Sequence, residues 1–349
     1  PSTIQYLYVY EGNTLNGSVA QLYTACPNLI NVEISGSNTI SGTIASVSTN
    51  TRDFSIFGNN TITGNLSSLT SNNTLAIFQV FGNNTITGNL SSVNWNNIEY
   101  FGIGGNTASQ TILNTSFIQG NIDTLPTVAN GKPFRADLKS FVLASGFNNI
   151  TGDVAKFPDS LITLVVRGEQ QDPLGTNTSY GNTLYGNLSD LPHTNIDRLS
   201  IGGHNTVTGD LNTYGSAPLI RMFEMDGDNT ISGSLSSLPS NSRLFTMSLT
   251  GANTVQTYGT SINWADYMNY FRHTSSALSN KGINVQADYA RLVTDLSTKT
   301  WINVGTVTKK VTMSITSSPA IVSPPPGATT QFTTLQNSVG AANLIIIVY

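Results

Sequence analysis

The sequence predicts a mainly β protein: a parallel solenoid of short coils over residues 1–255, closed by a small mixed α/β module over residues 256–349. Three observations carry this reading. The segment Phe57-Gly-Asn-Asn-Thr-Ile-Thr-Gly-Asn-Leu66 recurs unchanged from Phe81 to Leu90. Looser copies return on both sides of it, mostly at steps of 22–25 residues. A short alternating apolar run precedes many of the copies, and the repeat stops beyond about residue 256.

The repeat decides the architecture, because periods of this length mark stacked units rather than one globular core. Its frame is Asn, then an apolar residue two on, Gly two further and another apolar residue two beyond that. It reads Asn13, Leu15, Gly17 and Val19; then Asn38, Ile40, Gly42 and Ile44; and, in the exact copies, Asn60 and Asn84. It continues at Asn148, Ile150, Gly152 and Val154; Asn182, Leu184, Gly186 and Leu188; Asn205, Val207, Gly209 and Leu211; and Asn229, Ile231, Gly233 and Leu235. Asn106 and Asn253 keep the Asn-Thr pair and lose the Gly. Successive steps are 25, 22, 24, 22, 42, 34, 23, 24 and 24 residues, so the two long steps predict insertions near 107–135 and 169–180. Runs such as Phe78-Gln-Val80, Leu199-Ser-Ile201, Phe223-Glu-Met225 and Met247-Ser-Leu249 alternate at period two, the mark of a half-buried strand. One strand and one turn per coil, about ten coils in all, is the expectation. The side-chain amide of each Asn is expected to be buried and to satisfy backbone groups of its own turn and the neighbouring coil. Each Gly supplies a conformation that a Cβ would forbid.

Composition narrows the function classes. Against 15 Lys and Arg stand 19 Asp and Glu, a net charge of -4 with 10% charged residues. No basic run tracks a phosphate backbone, so nucleic acid is an unexpected partner. A hydrophobic content of 38% separates the chain from polar disorder. One cysteine, Cys26, excludes an internal disulfide framework. The longest apolar run, Leu344 to Tyr349, is too short to span a bilayer. No basic and apolar leader of the secretory type opens the sequence.

The segment Asn84-Thr-Ile86-Thr-Gly88-Asn-Leu90 resembles the Asn-x-Leu-x-Gly-x-Ile core of leucine-rich repeats, with one extra residue between strand and Asn in most copies. The longer pattern from Gly227 to Pro239, Gly-x-Asn-Thr-Ile-x-Gly-x-Leu-x-x-Leu-Pro, is similar to leucine-rich-repeat-like structural and tail-associated proteins of phages and prophages of Bacteroidetes hosts. Trp264-Ala265, Met268, Val293-Thr-Asp-Leu296, Trp301 and Thr333-Thr-Leu335 resemble the closing module of those proteins. The resemblance implies a virion protein, exterior to the particle, such as a spike or fibre. Its implied partners are other virion proteins and a host surface glycan or protein receptor, in a homo-oligomer without membrane insertion. A secreted bacterial adhesin and a polysaccharide-cleaving tailspike are the alternatives, the first weakened by the missing leader.

In the closing module, Trp264 to Phe271 and Ala287 to Leu296 have helical spacing. Val307 to Ile315 and Leu344 to Tyr349 read as strands, and Pro324-Pro325-Pro326-Gly327 as a turn between them. An atypical end is required because an open solenoid exposes its core cross-section. The other end enters its first strand at once with Ile4 to Tyr10, so that edge is expected to be covered by further chain, another subunit or a symmetry mate.

Catalytic candidates are thin. His193, His204 and His273 sit in no recognisable motif, and Glu224 and Asp226 share a strand face in the manner of paired glycosidase carboxylates or of a plain solvated surface. Asp226 to Asn229 lacks the ligand series and distal Glu of a calcium loop. The expectation is a non-enzyme with no metal and no cofactor. Registering the strands on their Asn residues turns Tyr6, Tyr8 and Tyr10 outward in the first coil, and Phe57, Ile77 and Phe81 outward in the third and fourth. Outward aromatics supply contact area at modest entropic cost and are the candidate binding residues. A covering loop, or a register slip of one, would withdraw them.

Overall fold

The computed structural model describes residues 3–10, 14–104, 116–128, 130–144, 148–167, 181–217, 219–238, 244, 246–251, 267–273, 286–303, 308–315 and 323–348. The ladder positions Asn13, Asn106 and Asn253 lie outside them. The fold is a mainly β, leucine-rich-repeat-like parallel solenoid with few helices. The chain falls into two compact units, Pro1–Leu184 and Tyr185–Tyr349.

In the first unit the strands Tyr6–Val9, Asn31–Ile34, Asp53–Ile56, Ile77–Phe81, Tyr100–Gly104, Ser140–Ala144 and Thr163–Val166 pair in that order, all parallel. Alternate residues point inward and stack one coil upon the next. Val32, Phe54, Phe78, Phe101, Phe141 and Leu164 form one buried column, and Ile34, Ile56, Val80, Ile103, Leu143 and Val166 a second. The aromatic stretch of the first column is a run of stacked rings, Phe54 on Phe78 at 6.1 Å and Phe78 on Phe101 at 5.8 Å. Trp95 packs edge-on against Phe101 and Phe134 and donates its indole N–H to the carbonyl of Leu90 at 3.0 Å. Each fully buried large apolar side chain contributes about 1.5–3 kcal/mol, so the columns rather than any local preference hold the coils.

The Asn-containing segment differs from the expectation. It is a second strand, not merely a turn. Asn16–Ser18, Thr39–Thr43, Thr61–Asn65, Thr85–Asn89, Phe117–Asn121 and Asn149–Asp153 form another parallel sheet. Only one or two residues per strand face inward, in the column Ile40, Ile62, Ile86, Ile118 and Ile150. Hydroxyls on the opposite face tie the coils together: Thr63 donates to the carbonyl of Gly42 at 3.2 Å and Ser41 to that of Gly17 at 3.1 Å.

After each of these strands the chain turns through one short 3₁₀ helix, or through the α-helix Val19–Ala25 in the first coil. The residue after Gly caps the 3₁₀ turn. Asn65 accepts from the Ser67 N–H at 3.0 Å, Asn89 from Ser91 at 2.9 Å, Asn121 from Asp123 at 2.9 Å and Asp153 from Ala155 at 2.9 Å. The glycine lies against the cap of the preceding coil. Gly88 has φ +129°, and a Cβ there would stand 2.9 Å from both Asn65 Oδ1 and the Leu66 nitrogen.

The second unit repeats these devices. Arg198–Ile201, Met222–Met225, Thr246–Leu249, Tyr270–His273, Lys310–Ile315 and Leu344–Val348 pair in order and in parallel. Thr206–Asp210 and Thr230–Ser232 pair alongside, and Asn187 and Asp210 cap their 3₁₀ turns as in the first unit. Residues 267–271, expected to be helical, instead contribute the strands Tyr267–Met268 and Tyr270–His273. Tyr267, Met268, Tyr270 and Phe271 satisfy either period, and in-register pairing onto Thr246–Leu249 selects the strand. The helix expected near Ala287 to Leu296 runs from Gln286 to Ser297, and Thr329–Val339 forms a further helix.

Part of the insertion expected over 107–135 is a regular coil. Residues 117–124 are a regular strand and 3₁₀ turn, with Ser116, Ile118, Gly120 and Ile122 in the repeat frame. Ser116 replaces Asn at this rung, so the steps from Asn84 to Asn148 become 32 and 32 rather than 22 and 42.

Candidate recognition surface

Two sets of side chains stand outside the apolar columns, and they have different jobs. The ladder set begins with the Asn residues. Asn38, Asn60, Asn84, Asn148, Asn182, Asn205 and Asn229 are buried. Each amide oxygen with a resolved partner takes a backbone N–H of the preceding coil. Asn38 accepts from Leu15 at 2.8 Å, Asn60 from Ile40 at 2.9 Å, Asn84 from Ile62 at 2.9 Å and Asn148 from Ile118 at 3.3 Å. Asn182 accepts from Ile150 at 3.0 Å, and in the second unit Asn229 accepts from Val207 at 2.9 Å. Ser116 performs the same service with its hydroxyl, accepting from Ile86 at 3.0 Å while donating to the Asn84 carbonyl at 3.2 Å. These residues are structural and sequestered from any ligand.

The second set lies on the outer face of the first sheet. Tyr6, Tyr8 and Tyr10 are 57%, 48% and 53% exposed. They lie on one strand face because side chains two apart share a side. The rings of Tyr8 and Tyr10 are parallel within 4° at 6.3 Å. Phe57 and Phe81 stack at 5.3 Å and are half-buried, as is Ile77. The Phe81 ring rests on Gly102 and Gly104, where an added Cβ would approach it to 2.9 Å. Phe57, Ile77 and Phe81 are therefore more withdrawn into the fold than the tyrosines, which are about half exposed.

Polar residues that the outward-aromatic reading passed over stand beside the tyrosines. By register, Tyr6 is followed by Asn31 and Asp53, and Tyr8 by Glu33 and Ser55. Asn31 donates to the Tyr8 hydroxyl at 3.3 Å, and the Tyr10 hydroxyl donates to Glu33 at 3.4 Å. Burial raises the Asp53 carboxyl above the usual range, with Arg52 opposing and Glu99 and Glu33 adding to the rise. The same alternation that marks Tyr6 and Tyr8 was the available signal for these positions.

In the second unit Glu224 accepts from the Ser200 hydroxyl at 2.6 Å, and Asp226 from the Ser248 hydroxyl at 2.7 Å. His193 Nδ1 lies 3.0 Å from the Leu191 carbonyl, His204 Nδ1 lies 3.6 Å from Asp228, and His273 ends the strand Tyr270–His273. Among the described residues no three His, Cys, Asp or Glu side chains converge as metal ligands. Nor is any described helix long and apolar enough to cross a membrane.

No protein-family model matches the chain, and no curated protein matches it. Among solved structures it is similar to the plant peptide hormone receptor RGFR1 in complex with RGF2, at 18% identity and a TM-score of 0.47, over 88% of this chain and 44% of that one. The Arabidopsis receptor kinase HAESA ectodomain, bound to an extended IDA peptide hormone, gives 17% identity and a TM-score of 0.47 over 86% and 49%. A plant ice-binding protein gives 16% identity and a TM-score of 0.42 over 72% and 73%. The chain spans about half the length of the two receptors.

Proposed function

We propose that the chain is a non-enzymatic recognition protein carried on the exterior of a bacteriophage particle, a spike or fibre component that contacts the host surface. The observation that carries the recognition part is the row of exposed tyrosines on a sheet whose opposite face is a continuous buried core. Aromatic rings held on a rigid sheet lose little further freedom when a partner covers them. The virion part rests on the Gly227 to Pro239 repeat signature and its likeness to phage structural proteins. Glu224 and Asp226, the pair on which a polysaccharide-cleaving tailspike would depend, are each hydrogen-bonded by a serine of a neighbouring strand, which fits a surface role.

The test has two arms. Mass spectrometry of purified particles should find this chain at structural stoichiometry, and its absence removes the virion reading. The isolated chain should compete with particles for host adsorption, and Tyr6→Ala, Tyr8→Ala and Tyr10→Ala together should abolish the competition. Undiminished competition by that folded variant would remove the sheet face from the reading.

A further inference from the structure

We infer that the first coils carry a docking site for a lysine-rich segment of a protein partner, whose ammonium groups meet Glu33 and Asp53 beside the rings of Tyr6, Tyr8 and Tyr10. This deepens the reading of the sheet face as a recognition surface and rests on it. The argument starts from unmet acceptors. Asn31 is only 8% exposed, and its amide oxygen has no hydrogen-bond donor; neither does Oδ1 of Asp53, its register partner on the next strand. Glu33, two residues from Asn31 on the same strand face and diagonal to Asp53, receives only the Tyr10 hydroxyl at 3.4 Å, and neither carboxylate forms an ion pair among the described residues. The side chain of Arg52 acts on Asp53 through space alone and points into solvent. The unmet oxygens of Asn31 and Asp53 are themselves buried, so what the patch offers a partner is the Glu33 carboxylate, the other Asp53 oxygen and a negative potential that Arg52 offsets only in part.

The chemistry that answers such a patch is a cation with divergent donors. An ammonium carries three donors around one point charge and fits acceptors on two side chains of different strands, whereas a guanidinium fork favours the two coplanar oxygens of one carboxylate. The tyrosine faces add attraction for the same charge. A neutral saccharide would stack on the rings but leave the Glu33 and Asp53 carboxylates without a cation.

The experiment is calorimetric titration of the full chain with pentalysine, with fully acetylated pentalysine and with a neutral oligosaccharide. Pentalysine should bind, and acetylation should weaken it by about tenfold or more, as loss of charge-assisted contacts of about 1.4 kcal/mol requires. Glu33→Gln with Asp53→Asn should weaken pentalysine to a similar degree. Glu224→Gln with Asp226→Asn removes the same charge from the other unit and should change affinity less than about twofold. Tyr6→Ala, at an exposed position, supplies a variant whose folding is not in question and should weaken binding severalfold. Equal losses in the two double variants, equal binding of the acetylated peptide, or binding of the oligosaccharide alone would each overturn the assignment. If tyrosine-dependent competition for host adsorption persists while pentalysine fails to bind, the recognition surface stands and this inference falls. If both fail, both fall.

Discussion

Replacing Asn84 with Ala tests the ladder where it is most regular. Asn84 is fully buried, and its amide oxygen accepts the N–H of Ile62, itself fully buried, at 2.9 Å. Alanine leaves that N–H with no partner and no access to water, a loss of about 1–3 kcal/mol. Removing the amide also opens a space that the packed coils above and below close only in part. One effect opposes: Nδ2 of Asn84 is buried without an acceptor, and alanine relieves that penalty. The expected net cost is about 2 kcal/mol. With a urea slope of about 3 kcal/mol/M, the unfolding midpoint should fall by roughly 0.7 M. Asn84→Ser should lose less, because Ser116 accepts from Ile86 in the adjacent coil with a hydroxyl alone. Urea titration followed by circular dichroism gives the midpoints, and hydrogen exchange of the Ile62 amide gives the local effect. An unchanged midpoint together with unchanged Ile62 protection would refute the account of the Asn rungs as buried hydrogen-bond acceptors.

Gly88→Ala should destabilise by more than about 2 kcal/mol, since it adds strain at φ +129° to a 2.9 Å clash with the cap of the previous coil; thermal unfolding measures it. Asn89→Ala removes the acceptor for the Ser91 N–H and should cost about 0.5–2 kcal/mol by the same measurement, with Asn89→Asp close to neutral. Alkaline stability should depend on buried tyrosines, Tyr23 and Tyr214 among them. Burial pushes Tyr23 up to about 12 and raises Tyr214 as well, so the neutral forms are favoured in the folded state. Their contribution is complete below the ordinary value of 10 and is lost as pH rises toward 12. Absorbance titration should show both ionising only as the chain unfolds, and early titration with the others would contradict it.

How much of this was legible from the sequence depends on whether a residue's job leaves a periodic trace. The Asn rungs were legible because a buried amide recurs wherever the same backbone group recurs. The inward columns were legible as alternation, Phe54 and Ile56 answering Phe78 and Val80. The second strand was not, because Thr61–Asn65 buries Ile62 and little else, and a strand that shows mostly Thr, Gly and Asn reads as a turn. Ser116 escaped because the pattern was anchored on an amide, whereas the rung needs only an acceptor oxygen of the right reach. At residues 267–271 the apolar residues fit both periods, and pairing with a preformed sheet decided between them.

The same division bears on why the proposed recognition surface falls on the outer face. The copies from Phe57 to Leu66 and from Phe81 to Leu90 are identical through the rung, the inward Ile, the close-packed Gly and the cap. On the strands just before them, the inward pairs Phe54 and Phe78 or Ile56 and Val80 agree in kind, while the outward pairs Asp53 and Ile77 or Ser55 and Gln79 do not. Rung, column and cap fix most of what the next coil must fit, and they leave outward strand positions such as Tyr6 and Tyr8 under weaker constraint than the inward ones. The most exposed positions of that face can take on partner chemistry with less disturbance to the stack than any inward residue. The tyrosines and carboxylates of the first coils are the part of it where aromatic area and unmet charge coincide.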